Sequence, residues 1–230
     1  IMKRLGARRT GFPTIVSSGT RGRTVIGPAT NRVIKKGEWV SLGVSPTFNG
    51  YHGIMRRTVK VGAEVIAEEK AFLMALEGLY LTVMEATCQA AKENLPANYI
   101  DQKGKEYLKW TKLHTDDGRR LSPREPYTFI HNTGCSECQE GYGAVTPYSE
   151  EPLGENVALM IDVALTGFDE QGELVFPIEY AVAEDCLWKR GPQVGDFNQM
   201  PFNVQELVGR ELTLIPQDRI NPYYIPLGGD

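Results

Sequence analysis

The chain has 230 residues, 41% hydrophobic and 23% charged, with a formal net charge of −4; this is the balance of one large globular domain with a sizeable core. The acidic balance excludes the basic surface that a nucleic-acid partner selects, no apolar run stands out as long enough to span a bilayer, and no signal-peptide pattern stands at Ile1. Four cysteines, Cys88, Cys135, Cys138 and Cys186, are too few for a disulfide scaffold at this length and read as reduced thiols of a cytoplasmic protein.

Ile1-Met2-Lys3-Arg4 reads as the end of a helix, so a preceding segment is expected outside this sequence. Thr14-Ile15-Val16 is a short β-type run, followed by a polar, Gly-containing loop from Ser17 to Thr24 and a turn at Gly27-Pro28. Val33 to Glu38 reads as a strand end and a turn. Trp39 to Val44 is a strand that resumes at Thr47-Phe48, and Ile54 to Val61 is the next. Ala63 to Asn94 is the clearest helix: Phe72, Leu73, Leu76, Leu79, Tyr80, Val83 and Met84 recur at helical spacing, and Pro96 follows the end. Asp101 to Leu113 is a second helix, and Asp116 to Arg120 a charged turn. Val157 to Leu165 is an apolar run broken by Asp162; with the turn at Asp169 to Gly172 it forms one arm of a hairpin. Tyr180 to Trp188 is a further strand. Phe202, Tyr223 and Tyr224 read as packing residues, and Asn221 to Asp230 as an irregular tail. Strands, then helices, then strands suggest an α+β fold.

Three segments carry a family resemblance. Phe12 to Gly19 resembles a first core strand. Gly27 to Arg32, Lys36 to Glu38 and Gly50-Tyr51 through Arg57-Thr58 are similar, without a gap, to the creatinase, prolidase and aminopeptidase P superfamily. Asp162 and Glu184-Asp185 fall on its late acidic positions. The resemblance implies one pita-bread domain over residues 1–230, lacking its first helix and any N-terminal domain. It would have a curved antiparallel sheet, outer helices, and a homodimeric assembly. It implies hydrolase chemistry on a small-molecule or dipeptide-like substrate.

The metallopeptidases of the superfamily hold two metals with two Asp, one His and two Glu, and a bridging water becomes the nucleophile. The two Asp positions fall here on Gly43 and Ile54. The His is kept as His131, the first Glu is Asp162, and the second is kept as Glu184. No dinuclear centre, and no cofactor, is therefore expected. Creatinase, which works without metal, is similar in lacking both Asp ligands. Its proton-transferring His falls on Ile26, its substrate-binding Glu on Arg56, its second His on Cys138 and its late His on Glu184.

What remains is a cleft with His131, Asp162 and Glu184 as candidate catalytic residues and Arg56, His52 and Cys138 as candidate substrate-binding residues. Two buried carboxylates without a metal need a basic side chain, which puts Arg56 within ion-pair reach of Asp162 or Glu184. Arg56 then either grips a substrate carboxylate with its fork or replaces the metal charge in an inert pocket. His131 is suited to proton transfer; His114 reads as a surface residue. Cys135-Ser136-Glu137-Cys138 is a lone C-x-x-C pair. Cys138 beside His131 could be a nucleophile, or His131, Cys138 and Cys186 could form a mononuclear metal site. Three readings stay open: a metal-independent hydrolase or lyase, a non-catalytic domain for binding or assembly, and a metalloenzyme with a rebuilt site.

Overall fold

The computed structural model describes residues 2–134 and 143–197. Cys135, Cys138, Phe202, Tyr223, Tyr224 and the tail from Asn221 lie outside the described residues. The strands are β1 (Arg9–Thr10), β2 (Ile15–Ser18), β3 (Trp39–Val44), β4 (Pro46–Phe48), β5 (Tyr51–His52) and β6 (Met55–Lys60). Two helices follow, α1 (Ala67–Glu93) and α2 (Asn98–Trp110), and then β7 (Leu113–His114), β8 (Arg120–Leu121), β9 (Ile130–Asn132), β10 (Asn156–Thr166), β11 (Tyr180–Arg190) and β12 (Gln193–Asp196). The main sheet is antiparallel in the order β2-β3-β6-β11-β10-β9, with β12 also pairing β11. Strands β1, β4 and β5 form a small second sheet. This is the α+β arrangement that the strand–helix–strand order implies.

Period-2 alternation divides the main sheet into two faces. On one, Leu159, Ile161, Val163 and Leu165 of β10 and Ala181, Ala183 and Leu187 of β11 meet Phe72, Leu76, Leu79 and Val83 of α1 in the main core. By length and composition alone α1 is long and apolar enough to cross a membrane, against the sequence expectation; 50% of that stretch is buried inside the protein, as in a core helix. Its start is tied down by one side chain. The Glu69 carboxylate accepts the Ile66 backbone N–H (3.0 Å), the Trp39 indole N–H (3.0 Å) and the Lys60 ammonium (2.6 Å). Asn94 ends the helix in the left-handed region (φ 53°), where an amide side chain is among the few that are tolerated. Gly78 lets α2 approach, because a Cβ there would stand 2.1 Å from the Tyr107 hydroxyl.

The second helix begins and ends three residues earlier than its sequence pattern suggests, at Asn98 and Trp110. Val33 and Ile34 form no strand: they stand 78% and 36% exposed in an irregular stretch before the turn at Lys36-Gly37. Two β-type side chains do not make a strand where no neighbour offers a ladder. The β10–β11 hairpin is as expected, but its connection runs from Gly167 to Glu179 and contains a Phe168–Leu174 bridge.

Strand β6 pairs with β3 along its whole length, from Met55↔Val44 to Lys60↔Trp39. It pairs with β11 only at Met55, Arg56 and Arg57. Beyond that point the strands diverge, and the Val182 N–H donates to the Thr58 hydroxyl (2.9 Å) in place of a ladder carbonyl.

Candidate functional site

The register of the sheet builds the site. Ile15 lies opposite Gly43, Gly43 opposite Arg56, Arg56 opposite Glu184, and Glu184 opposite Asp162. These five residues form one row across five strands, on the face away from α1. His131 enters from the neighbouring row, opposite Met160, which is itself opposite Cys186. Cross-strand neighbours on one face have Cβ atoms about 5 Å apart, so residues distant in sequence arrive together.

Arg56 lies at the centre of the row. Its Nη1 is 3.2 Å from Glu184 Oε2 and 3.7 Å from Asp162 Oδ2. Its Nη2 donates to the Val25 carbonyl (2.6 Å) and the Tyr180 hydroxyl (2.9 Å). The guanidinium thus meets four acceptors from three segments, the loop at Val25, β10 and β11. The side chains of Arg56, Glu184 and Asp162 are 3%, 3% and 8% exposed, so the charges face each other with little water between them. Tyr127 donates to Asp162 Oδ1 (2.9 Å) and lies 2.8 Å from the Tyr180 hydroxyl. Burial alone would weaken the hold of Arg56 on its proton; Glu184, Tyr127, Tyr180 and Asp162 more than reverse that, and its pKa rises well above the ordinary value. Burial pushes the Tyr180 phenol up to about 12 and Tyr127 well above the usual range, so both are neutral hydroxyls at physiological pH. His131 is 1% exposed, with Nδ1 2.9 Å from the Asn132 carbonyl. Ligand atoms of His131, Asp162 and Glu184 all lie within 4.8 Å of one another.

A second buried ion pair braces the row from the helix side. Arg57 grips Asp185 through Nη2 at 2.8 and 2.9 Å, and its Nη1 donates to the carbonyls of Arg56 and Glu184 (2.8 and 2.9 Å). The Tyr80 hydroxyl of α1 completes it, 3.1 Å from Asp185. On the site face, a cavity of about 220 Å³ is lined by Ser17, Glu38, Trp39, Ser41, Glu179 and Tyr180 among others. Tyr180 is the wall shared by the cavity and the charged cluster.

The pattern of metallopeptidase family M24 matches residues 1–183 of the chain. The protein belongs to family M24. The M24 chain is 28% identical over 109 residues to a Xaa-Pro dipeptidase of Pyrococcus furiosus, a match covering 47% of this chain and 30% of that relative. A Xaa-Pro dipeptidase of Pyrococcus horikoshii is 26% identical over 101 residues, covering 44% and 27%. The prolidase structure from Pyrococcus furiosus superposes with a TM-score of 0.65 at 19% identity, over 87% of this chain and 52% of that one. An Escherichia coli aminopeptidase P variant gives 0.68 at 14% identity, over 90% and 48%. The chain thus spans about half the length of these solved relatives, and their likeness shows the pita-bread fold.

The dinuclear centre that the family name implies does not fit this M24 site. Gly43 and Ile54 offer no ligand atom, and the guanidinium of Arg56 lies between the two carboxylates that remain. Ile54 instead joins a buried apolar cluster with Phe12, Ile15, Met160 and Cys186. The Cys186 thiol accepts the Ile54 N–H (3.0 Å), and burial pushes its pKa up to about 12, so it is neither a thiolate nor a ready metal ligand. His52 lies on β5 of the small sheet, its backbone N–H on the Gly134 carbonyl (2.8 Å). His114 is exposed. Tyr180, Tyr127, the Val25 carbonyl and the Arg57–Asp185 brace were not picked out from the sequence. Tyr180 alone had a readable signal, since it precedes Glu184 by four residues and shares its face.

Proposed function

We propose that this M24 chain is a metal-independent amide hydrolase acting on a small, carboxylate-bearing, dipeptide-like substrate. The carrying observation is the convergence of His131, Asp162 and Glu184 within 4.8 Å, on one sheet face, around a permanently charged Arg56. With its Nδ1 proton on Asn132 O, His131 presents Nε2 as the basic nitrogen. It accepts a proton from water as the water oxygen bonds to the carbonyl carbon. It then returns that proton to the amine nitrogen as the C–N bond breaks. The carboxylates orient the imidazolium that forms in between, and Arg56 supplies the positive charge that faces both of them. The cavity beside Tyr180 is of a size for a small substrate. The test is a panel of Xaa-Pro dipeptides and N-acyl amino acids incubated with excess chelator, with products read by mass spectrometry. Turnover should persist in chelator and vanish in His131→Ala. Turnover abolished by chelator, or equal in the variant, overturns the reading.

One observation favours a second reading, that of a non-catalytic binding or assembly domain. Nη2 of Arg56 donates to two protein acceptors and Nη1 is ion-paired with two more, so the guanidinium is already engaged by the protein. This reading gives no product from any member of the panel.

A further inference from the structure

We infer that Arg56 is a built-in replacement for a metal ion, that Gly43 is the residue that admits it, and that its guanidinium holds shut a mononuclear divalent-cation site made by His131, Asp162 and Glu184. The inference stands whether or not the site turns over a substrate. Its first support is steric. Gly43 lies directly opposite Arg56 in the β3–β6 ladder, and a Cβ built on it would stand 2.8 Å from Arg56 Cγ and 3.0 Å from Ile15 Cδ1. Real Cβ atoms essentially never show the first distance, and the second is tighter than nearly all real contacts. Any side chain at position 43, an aspartate included, would therefore compete with the arginine stem for one space. An acidic ligand at 43 and the arginine stem as it lies here cannot share that space without one of them shifting.

The second support is electrostatic. Asp162 and Glu184 face each other across one rung of the β10–β11 ladder, and both are almost fully buried. Two such carboxylates require a cation. Arg56 supplies one that no chelator removes, held by hydrogen bonds to Val25 and Tyr180 as well as by the acids. The third support is the donor set. One imidazole and two carboxylates with ligand atoms within 4.8 Å suit a divalent transition metal. A metal ion brought there would meet a guanidinium whose Nη1 is 3.2 Å from Glu184 and 3.7 Å from Asp162; like charges about 4 Å apart at the effective dielectric of protein sites repel enough to weaken binding by on the order of a thousandfold per unit of ionic charge.

The test measures metal uptake, independently of turnover. Purified wild-type chain, Arg56→Ala and Arg56→Lys are dialysed against Mn²⁺, Co²⁺ or Zn²⁺, and bound metal is counted by elemental analysis and calorimetry. Wild type and Arg56→Lys should take up no stoichiometric metal. Arg56→Ala should bind one ion per chain at least about a thousandfold more tightly than wild type, and its melting temperature should climb with added metal. The double variant Arg56→Ala/His131→Ala should lose that ion. One equivalent of metal bound at this cluster in the wild type, its uptake abolished by His131→Ala, overturns the inference, as does a folded Arg56→Ala chain that binds none. Should Arg56→Ala fail to fold, Gly43→Ala keeps the question open to measurement. It should destabilise the chain by crowding the arginine stem, and unchanged stability there overturns the steric half of the inference.

Discussion

Replacing Arg56 by alanine removes the only cation seen between Glu184 and Asp162 among the described residues. The cost can be worked from the contacts. Breaking a buried ion pair from one side costs about 3–5 kcal/mol, because the remaining charge loses its partner without regaining water. The exposures of 3%, 3% and 8% place this cluster in that regime. For a chain of this size each kcal/mol lowers the melting temperature by about 2–4 °C, so the variant should melt roughly 6–20 °C below wild type. Arg23 and Glu179 are the control: their bridge is 60% and 30% exposed, and Arg23→Ala should cost under about 1 kcal/mol. Urea denaturation followed by circular dichroism, with calorimetry beside it, measures both. A double-mutant cycle then isolates the pair, since Arg56→Ala with Glu184→Gln should recover at least about 1 kcal/mol of the summed single losses. A loss below about 1 kcal/mol in Arg56→Ala, with no coupling to Glu184→Gln, would refute the view that the guanidinium balances the buried acids.

Arg57→Ala should also cost about 3–5 kcal/mol, since it strands Asp185 and leaves the Arg56 and Glu184 carbonyls without their donor; the denaturation midpoint checks this. Cys186 gives a pH dependence of definite sign. Its folded pKa is raised to about 12, so the neutral thiol contributes stability that is fully present below the unfolded value of roughly 8.5 and is lost as pH rises towards 12. Unfolding free energies measured from pH 8 to 11 should fall by up to about 1.4 kcal/mol per pH unit more steeply in wild type than in Cys186→Ala. Parallel curves would count against it.

The sequence pattern located the sheet and α1 well because both are periodic. Phe72, Leu76, Leu79 and Val83 return at helical spacing to the face that the structure buries, and Asp162 and the Glu184-Asp185 pair interrupt otherwise apolar runs. The meeting of Arg56, Asp162 and Glu184 was legible only through the resemblance, because cross-strand register leaves no mark in a single strand. The Val25 carbonyl and Tyr127 were not legible, since a backbone acceptor in a loop and a tyrosine ahead of β9 belong to no period. The early strand at Val33-Ile34 failed for a related reason: β-type residues describe a preference, and only a neighbouring strand makes it a ladder.

The Thr58 hydroxyl stands in for one rung of the ladder at the point where β6 and β11 part. The hollow beside Tyr180 takes its walls from β2, from β3 and the turn before it, from the β10–β11 connection and from Tyr180 itself. Its width is set by backbone course and by the connection that carries Leu174, Pro177 and Glu179, whereas the charged cluster is set by register one rung away. The two can vary separately: substitutions in that connection can reshape what the molecule accommodates while the arginine and its acids stay in place.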